Sequence, residues 1–460
     1  MAPSRGAWGA RRVTVEVNIP ARVRSPRDHA AASRLARVGW ATPLPSDPRN
    51  PCPTPPRLAR SSRSGGRRIV FVDHAATPGG GQLALLWLLE NSPQLDAHVI
   101  FLTPGPLLAR FREAGIPTSV VSPQPFDPRV LITALPALAA QIARRDADAV
   151  VATSIAAAKS LAFVPLRVPR LIYLQEDLAR GFGRGLTTHV LFRTIYPAFD
   201  GFIANSEWTA ATIPVELTEV PHAVAYPPSH AKRLPRSRVF AEDGVVRIAT
   251  FSRPERWKGL DLVVDAAELL MQDPSCPAFR VDMFGGGAVM DEQYARELRR
   301  RVDAGPLPIR LHGHVDDVGA RLAETDVVVL PSRLPEPFGQ VVAQARAAGA
   351  VVVISDAGGA MEQITPGLDG LSFERGSASA LAERLRSLLS DPLLGTTLSA
   401  AGLADAERWG DDVLAARFTR ALDSLCDDVR GSRRLRRRAF GLVRPWRSVR
   451  AGGVMSAITG

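Results

Sequence analysis

Two short segments carry the residue types that chemistry would need. The first reads Ser252-Arg253-Pro254-Glu255-Arg256-Trp257-Lys258-Gly259 and follows an apolar run. Lys258 is one of only three lysines in the chain, with Lys159 and Lys232. A guanidinium fork at Arg253 and a point charge at Lys258, both on a loop leaving a strand, suit a pyrophosphate. The spacing alone serves a solvated basic loop equally well. The second segment reads Pro331-Ser332-Arg333-Leu334-Pro335-Glu336-Pro337-Phe338-Gly339-Gln340. Gly339 allows close approach to the backbone, and the N–H groups of Phe338, Gly339 and Gln340 at a helix start form an anion site. Glu336, stiffened between two prolines, points to the same place. An acid beside an anion site fits a neutral group such as sugar hydroxyls. The alternative is an acid that only complements a helix dipole, an effect of about 0.3–1 kcal/mol.

Three glycine-rich turns repeat one arrangement of strand, glycine and helix: Gly79-Gly80-Gly81 before Gln82, Gly285-Gly286-Gly287, and Gly358-Gly359 before Glu362. Each leaves room for a ligand to approach the backbone. Asp73 and His74 end the first strand, where they either face a cleft or carry no role. Other clusters are weighed and set aside. His312-Gly313-His314 with Asp316 and Asp317 sits where a strand leaves toward a helix, and Asp316 reads as an N-cap. Asp146-Ala147-Asp148 precedes a strand, at the end away from the cleft. His189 reads as a surface or packing histidine. No metal is assigned, and neither a Gly-x-Ser-x-Gly nor a Cys–His motif supports hydrolytic chemistry.

These loops need a scaffold, and the patterning supplies one. Short apolar runs read as strands at Ile69–Val72, His98–Leu102, Ser119–Val121, Ala149–Ala152, Leu171–Leu174 and Gly201–Ala204. A second set falls at Arg247–Phe251, Arg280–Phe284, Ile309–His312, Val327–Leu330, Val351–Ile354 and Leu371–Phe373. Helices are expected at Gln82–Glu90, Val130–Arg144, Val341–Ala348, Ser379–Leu389 and Asp411–Val429. Strands alternating with helices give an α/β fold with parallel sheets covered on both faces. The resulting organisation is a Pro/Arg-rich extension over 1–68, expected to be disordered; an acceptor-side Rossmann-like domain over 69–225; a linker over 226–244; a second Rossmann-like domain over 245–408; a returning helix over 409–429; and a basic tail over 430–460. Ligands of such open sheets bind at the carboxyl ends of the strands, here in a cleft between two halves.

The motifs in order, FSRPERWKG, FGGG, LHGHV, LPSRLPEPFGQ and SDAGGAMEQI with LDGLSF, preceded by the early GGG, resemble those of glycosyltransferase family 4. The resemblance covers 69–429 and is strongest over 245–390. It implies a GT-B fold, two doubly wound domains facing a cleft, and a retaining enzyme that uses a nucleotide-sugar donor without a metal or other cofactor. It implies that Arg253 and Lys258 hold the donor pyrophosphate and that Glu336 contacts the donor sugar. Phe338, Gly339 and Gln340 would give backbone N–H groups to the phosphates, and Gly80 and Gly81 would lie near the donor phosphate and the acceptor. Gly286, Gly359 and Glu362 would border the sugar or nucleotide, and His74, Glu176 and Asp177 the acceptor. Gln344 stands where the family has a second acid on the ribose, so nucleotide binding should be weaker by about 1–2 kcal/mol, the excess of a charged over a neutral hydrogen bond. Val220-Pro221-His222-Ala223-Val224 and Tyr173-Leu174-Gln175-Glu176-Asp177 also depart from the family pattern.

Composition narrows the partners. The chain has 460 residues, 46% of them hydrophobic, which excludes disorder throughout. Of its net charge of +11, residues 1–68 hold +11 (14 Arg, three acids) and 430–460 hold +9 (nine Arg, no acid), so 69–429 carries −9. A basic folded face for nucleic acid is therefore not expected. Three scattered cysteines and the lack of a long apolar run or signal segment fit a cytoplasmic protein. The tail Arg433–Arg450 mixes arginines with Phe440, Leu442 and Trp446. It is a solvated end, an interfacial segment on an anionic membrane at the inner face of the plasma membrane, or, the least favoured of the three, a nucleic-acid-binding segment. The expected activity is sugar transfer to a saccharide or lipid-linked acceptor in cell-surface glycan synthesis. A GT-B-fold binding protein without turnover and a nucleotide-sugar 2-epimerase are the alternatives.

Overall fold

Runs such as Val327-Val328-Val329-Leu330 are apolar on both sides of the pleat, so they are stable only as strands covered on both faces. A computed structural model describes residues 66–124, 129–178, 194–214, 217–233, 239–286 and 291–439; for 130, 131 and 430–439 it describes the backbone alone. The expectations for 1–65, His189, Gly287 and the tail beyond 439 lie outside the described residues.

Within these residues the strands fall into two sheets. The first holds β1 (Arg68–Ala75), β2 (Asp96–Thr103), β3 (Thr118–Val120), β4 (Ala149–Ala152), β5 (Arg170–Leu174), β6 (Gly201–Ala204) and β7 (His222–Val224), in the order β3-β2-β1-β4-β5-β6-β7. The second holds β8 (Val246–Phe251), β9 (Phe279–Phe284), β10 (Ile309–Leu311), β11 (Val327–Leu330), β12 (Val351–Ser355) and β13 (Leu371–Phe373), in the order β10-β9-β8-β11-β12-β13. All pairs are parallel, as in Phe71↔Val99 and Val328↔Val352. Each sheet has a buried cluster on either face.

The helix Asp411–Ala439 returns to the first sheet. Ala415, Phe418, Leu422, Leu425, Cys426 and Val429 form one helical stripe buried against β6 and β7, with Phe418 packed on Phe71 of β1 and Tyr173 of β5. Arg67, just before β1, ties the amino end of that strand to it through Asp423 at 2.6 Å and Asp427 at 2.7 Å.

Several local expectations are corrected. The helix expected over Val130–Arg144 is two, Val130–Thr133 and Leu135–Ala143, because Pro136 supplies no N–H and sits in the first turn of the second. His222–Val224, for which no strand was expected, is an edge strand paired with β6, Phe202↔His222. Asp317, not Asp316, caps the helix Val318–Ala323. The last helix continues ten residues past Val429. Among the described residues, no helix is long and apolar enough to cross a membrane.

Candidate functional site

The helix Gln340–Ala347 follows the loop leaving β11, and Gly80–Glu90 follows β1. Both start behind glycine N-caps, Gly339 and Gly79, with no side chain on the first-turn amides. Gly339 sits at φ 75°, where a residue with a Cβ is strained. The two helix starts face each other across the halves: Gln340 Nε2 donates to the Gly80 carbonyl at 2.9 Å. Two positive dipole ends thus converge on one place at the carboxyl ends of both sheets.

Beside them the two motif loops clamp together. Gly259, at φ 67°, packs so closely that a Cβ would stand 2.1 Å from the Pro331 carbonyl oxygen. Arg333 N–H donates to the Trp257 carbonyl at 2.8 Å, and the Arg333 guanidinium pairs with Asp261. Lys258 Nζ reaches Glu336 Oε1 at 2.8 Å and Oε2 at 2.9 Å, while Ser332 Oγ donates to Oε2 at 2.8 Å. The ammonium also lies 4.0 Å from the centre of the Trp257 ring. Both members of the pair are largely buried, with side-chain exposures of 15% and 11%. Arg253 is more open and rests against Glu255 at 3.1 Å.

The residues named from sequence therefore divide. Lys258 and Glu336 are in direct contact, and Gly80 and Gln340 are joined across the halves. Phe338 and Gly339 offer their carbonyls to the buried Gln363 amide at 2.5 and 3.2 Å, which fixes the loop from behind. Gly81 lies against Gln175, whose amide nitrogen would be 3.2 Å from a Cβ there. Four expectations change. A Cβ on Gly286 would stand 2.9 Å from His314 N, and one on Gly359 would stand 2.0 Å from the Pro337 oxygen and 2.5 Å from Ser206 Oγ. Those glycines are required by the protein's own backbone, with no need of a ligand. Glu362 accepts from Trp208 N at 2.7 Å, Glu207 N at 3.0 Å and the Tyr226 hydroxyl at 2.7 Å, so it joins the halves. Gln344 Nε2 donates to the Ser229 carbonyl at 2.6 Å, which ties its amide to the connecting segment.

On the opposite side, Asp73 is fully buried and accepts from Gln82 Nε2 at 3.0 Å and from Thr153 Oγ1 at 2.5 Å. His74 Nδ1 lies 2.9 Å from Asp73 Oδ1 and 3.0 Å from Ser154 Oγ. Burial opposes ionisation of Asp73, yet the bonds from His74, Thr153 and Gln82 prevail and hold it below the usual carboxylate range. Burial likewise opposes the imidazolium, but Asp73 and the charge of Glu176 hold His74 above its ordinary value. Glu176 is exposed and Asp177 half-buried after β5. Asp146 and Asp148 bind Arg68 at the amino ends of β1 and β4, away from this region. His312 pairs with Asp282 at 2.8 Å. Among the described residues, no group of three His, Cys, Asp or Glu is placed to hold a metal.

Sequence reasoning missed Ser332, Asp261, Gln363 and Arg346. Arg346 is 1% exposed and binds Asp369 and Asp405 at 2.7 Å each, anchoring the helix that begins at Gln340. An arginine in an otherwise apolar helical face was the available signal. Gln363 gave none, because its partners Phe338 and Gly339 lie on a different loop, whereas Ser332 sits four residues before its partner Glu336.

Two doubly wound domains whose strand ends meet define a GT-B protein. Residues 243–391 match the family described as glycosyl transferases group 1, the region where the motif resemblance is strongest. A Campylobacter jejuni N,N'-diacetylbacillosaminyl-diphospho-undecaprenol alpha-1,3-N-acetylgalactosaminyltransferase is 32% identical over 117 residues, 25% of this chain and 31% of its own length. A GDP-mannose-dependent phosphatidylinositol monomannoside mannosyltransferase of Corynebacterium glutamicum is 29% identical over 202 residues, 42% of this chain and 51% of its own. The matched stretches thus span between about a third and a half of these relatives. Anabaena HepE, crystallised with UDP and glucose, superposes with a TM-score of 0.67 at 24% identity, over 78% of this chain and all of that one, which shows the shared fold.

Proposed function

We propose that this protein is a glycosyltransferase that moves a sugar from a nucleotide-diphosphate sugar to a saccharide or lipid-linked acceptor. The observation that carries the reading is the bond between Gln340 and Gly80, which sets two uncapped helix starts from different halves face to face beside Lys258. A diphosphate fits between two positive dipole ends. When the nucleotide diphosphate leaves, negative charge grows on its β-phosphate. Lys258, Arg253 and the amides near Gly339 would stabilise it, and one such donor can be worth about 3 kcal/mol in a transition state. Before that, the ammonium of Lys258 neutralises Glu336, so a buried acid stands beside an anion site without repelling it. With the donor bound, the carboxylate is placed for sugar hydroxyls. Retention and independence of metal belong to this reading, the cations and dipoles taking the part of a Lewis acid. Because both named relatives act on lipid-linked acceptors, the same class is proposed here, with cell-surface glycan as product and the basic tail at the inner face of the plasma membrane.

Thermal stabilisation by a panel of UDP-, GDP- and ADP-sugars tests the reading. A ligand at 100 times its dissociation constant adds about 2.7 kcal/mol. No shift with any of them, at millimolar concentration, would sink it. One observation favours a second reading, a binding protein without turnover: the Gln344 amide is taken up by the connecting segment. Release of nucleotide diphosphate from the stabilising donor separates the two.

A further inference from the structure

We propose that Tyr226 and Glu362 form a clasp that sets the orientation of the two halves, making Tyr226 a positioning residue for transfer. This rests on the transferase reading, since orientation matters only if donor and acceptor sit on opposite halves. Tyr226 lies two residues beyond β7, at the start of the connecting segment. Its hydroxyl donates to Glu362 Oε2 at 2.7 Å, and the same carboxylate takes the backbone amides of Glu207 and Trp208 from the first half at 3.0 and 2.7 Å. One acid of the second half therefore binds both the connecting segment and the first half, by charge-assisted bonds. Burial and the Glu362 charge push the Tyr226 phenol well above its ordinary range, so the hydroxyl stays a donor.

The ring of Tyr226 is held as tightly as its hydroxyl. It packs 5.8 Å from Phe338 and 5.1 Å from Trp409, and those two rings lie 5.9 Å apart. Phe338 belongs to the loop whose amides are assigned to phosphate. Displacing Tyr226 would therefore move that loop and the interdomain contact together. The rest of the segment is held as firmly: Ser229 and His230 N–H both donate to Asp411 Oδ1 at 2.9 Å, and the Ser229 carbonyl accepts from Gln344. Gly359 lies against Ser206 of the first half, whose Oγ would be 2.5 Å from a Cβ there. None of the clasp atoms needs to touch substrate, so the pair acts through geometry.

The test reads orientation directly. Spin labels at cysteines placed on the exposed Glu113 and Glu383, in a Cys52→Ser and Cys276→Ser background, report the distance between the halves in the full chain. Calorimetry with UDP, GDP and ADP reports the nucleotide site. The wild-type distances should form one narrow distribution. Tyr226→Phe, which removes only the hydroxyl, and Glu362→Gln should broaden or split it and weaken binding of the best nucleotide, whose diphosphate is assigned to helix starts of both halves. A merely structural role would lower the melting temperature and leave the distribution narrow. Distributions identical to wild type in both variants overturn the proposal. If Tyr226→Phe does not fold, Glu362→Gln decides the outcome, because it leaves the aromatic cluster intact. Failure of all three nucleotides to bind the wild-type chain would overturn the transferase reading, and the clasp's part in transfer with it, whatever the distances.

Discussion

Lys258 and Glu336, 78 residues apart in the chain, share two hydrogen bonds of 2.8 and 2.9 Å in a place where each is largely out of water. Removing one partner leaves the other buried and unpaired. Lys258→Ala should therefore cost about 3 kcal/mol in stability as well as activity, in the lower range seen when buried pairs are broken. The double variant Lys258→Ala with Glu336→Gln should recover most of that loss and stay inactive. Arg253, exposed and resting on Glu255, should behave differently: Arg253→Ala keeps its melting temperature and lowers turnover at least tenfold. Chemical denaturation and turnover, measured on all three, check this. An unchanged melting point for Lys258→Ala would show that the pair is more solvated than its geometry indicates.

Gln344 leads to a revised expectation. From sequence, Gln344→Glu should restore a ribose contact and tighten nucleotide binding, or leave it unchanged. In the structure the Gln344 amide donates to the Ser229 carbonyl at 2.6 Å, and a carboxylate has no proton to give. The substitution should destabilise by about 1–3 kcal/mol, the cost of facing an acceptor with another acceptor. Denaturant melts report the loss, and nucleotide titration shows whether any gain in affinity survives it.

Two glycines offer a contrast. Gly359→Ala places a methyl 2.0 Å from a backbone oxygen, which cannot give way without moving the loop that carries Phe338. A loss of about 1–3 kcal/mol is expected, as for other overpacked sites. Gly81→Ala meets only the end of Gln175, a flexible side chain, at 3.2 Å. Its melting temperature should stay within a degree or two of wild type, while a methyl beside the helix start weakens nucleotide binding. Equal melting temperatures for the two variants would contradict the packing described at Gly359.

The Asp73–His74 pair predicts a pH dependence. His74 is held above its ordinary value of 6.5 by Asp73, so its contribution to stability is complete below 6.5 and is lost as pH rises through the folded value. His98 works in the opposite sense. Burial and Arg145 push it down to about 4, so it costs stability only as pH falls below 6.5. On the alkaline side His98 is neutral in both states, and only His74 of the two contributes. Stability measured from pH 6 to 9 should fall in the wild type and fall less in His74→Gln. Parallel curves would exclude the charged form of His74.

Much of this protein was legible in its sequence because the signals are local. The strands Ala149–Ala152, Gly201–Ala204, Val327–Leu330 and Leu371–Phe373 lie where the apolar runs place them, and glycine after a strand marks the helix starts at Gly80 and Gln340. Burial on both faces leaves such runs no other stable conformation. What the sequence could not supply is which polar groups meet. Glu362 and Gln344 look like ligand-facing residues when the chain is read in one dimension, but folding brings the connecting segment and the helix start at Glu207 within reach of them first. Gly286 and Gly359 look like openings, yet each is filled by another backbone. Hydrogen bonds act over about 3 Å, and separation along the chain says nothing about that distance until both sheets and the segment joining them have packed.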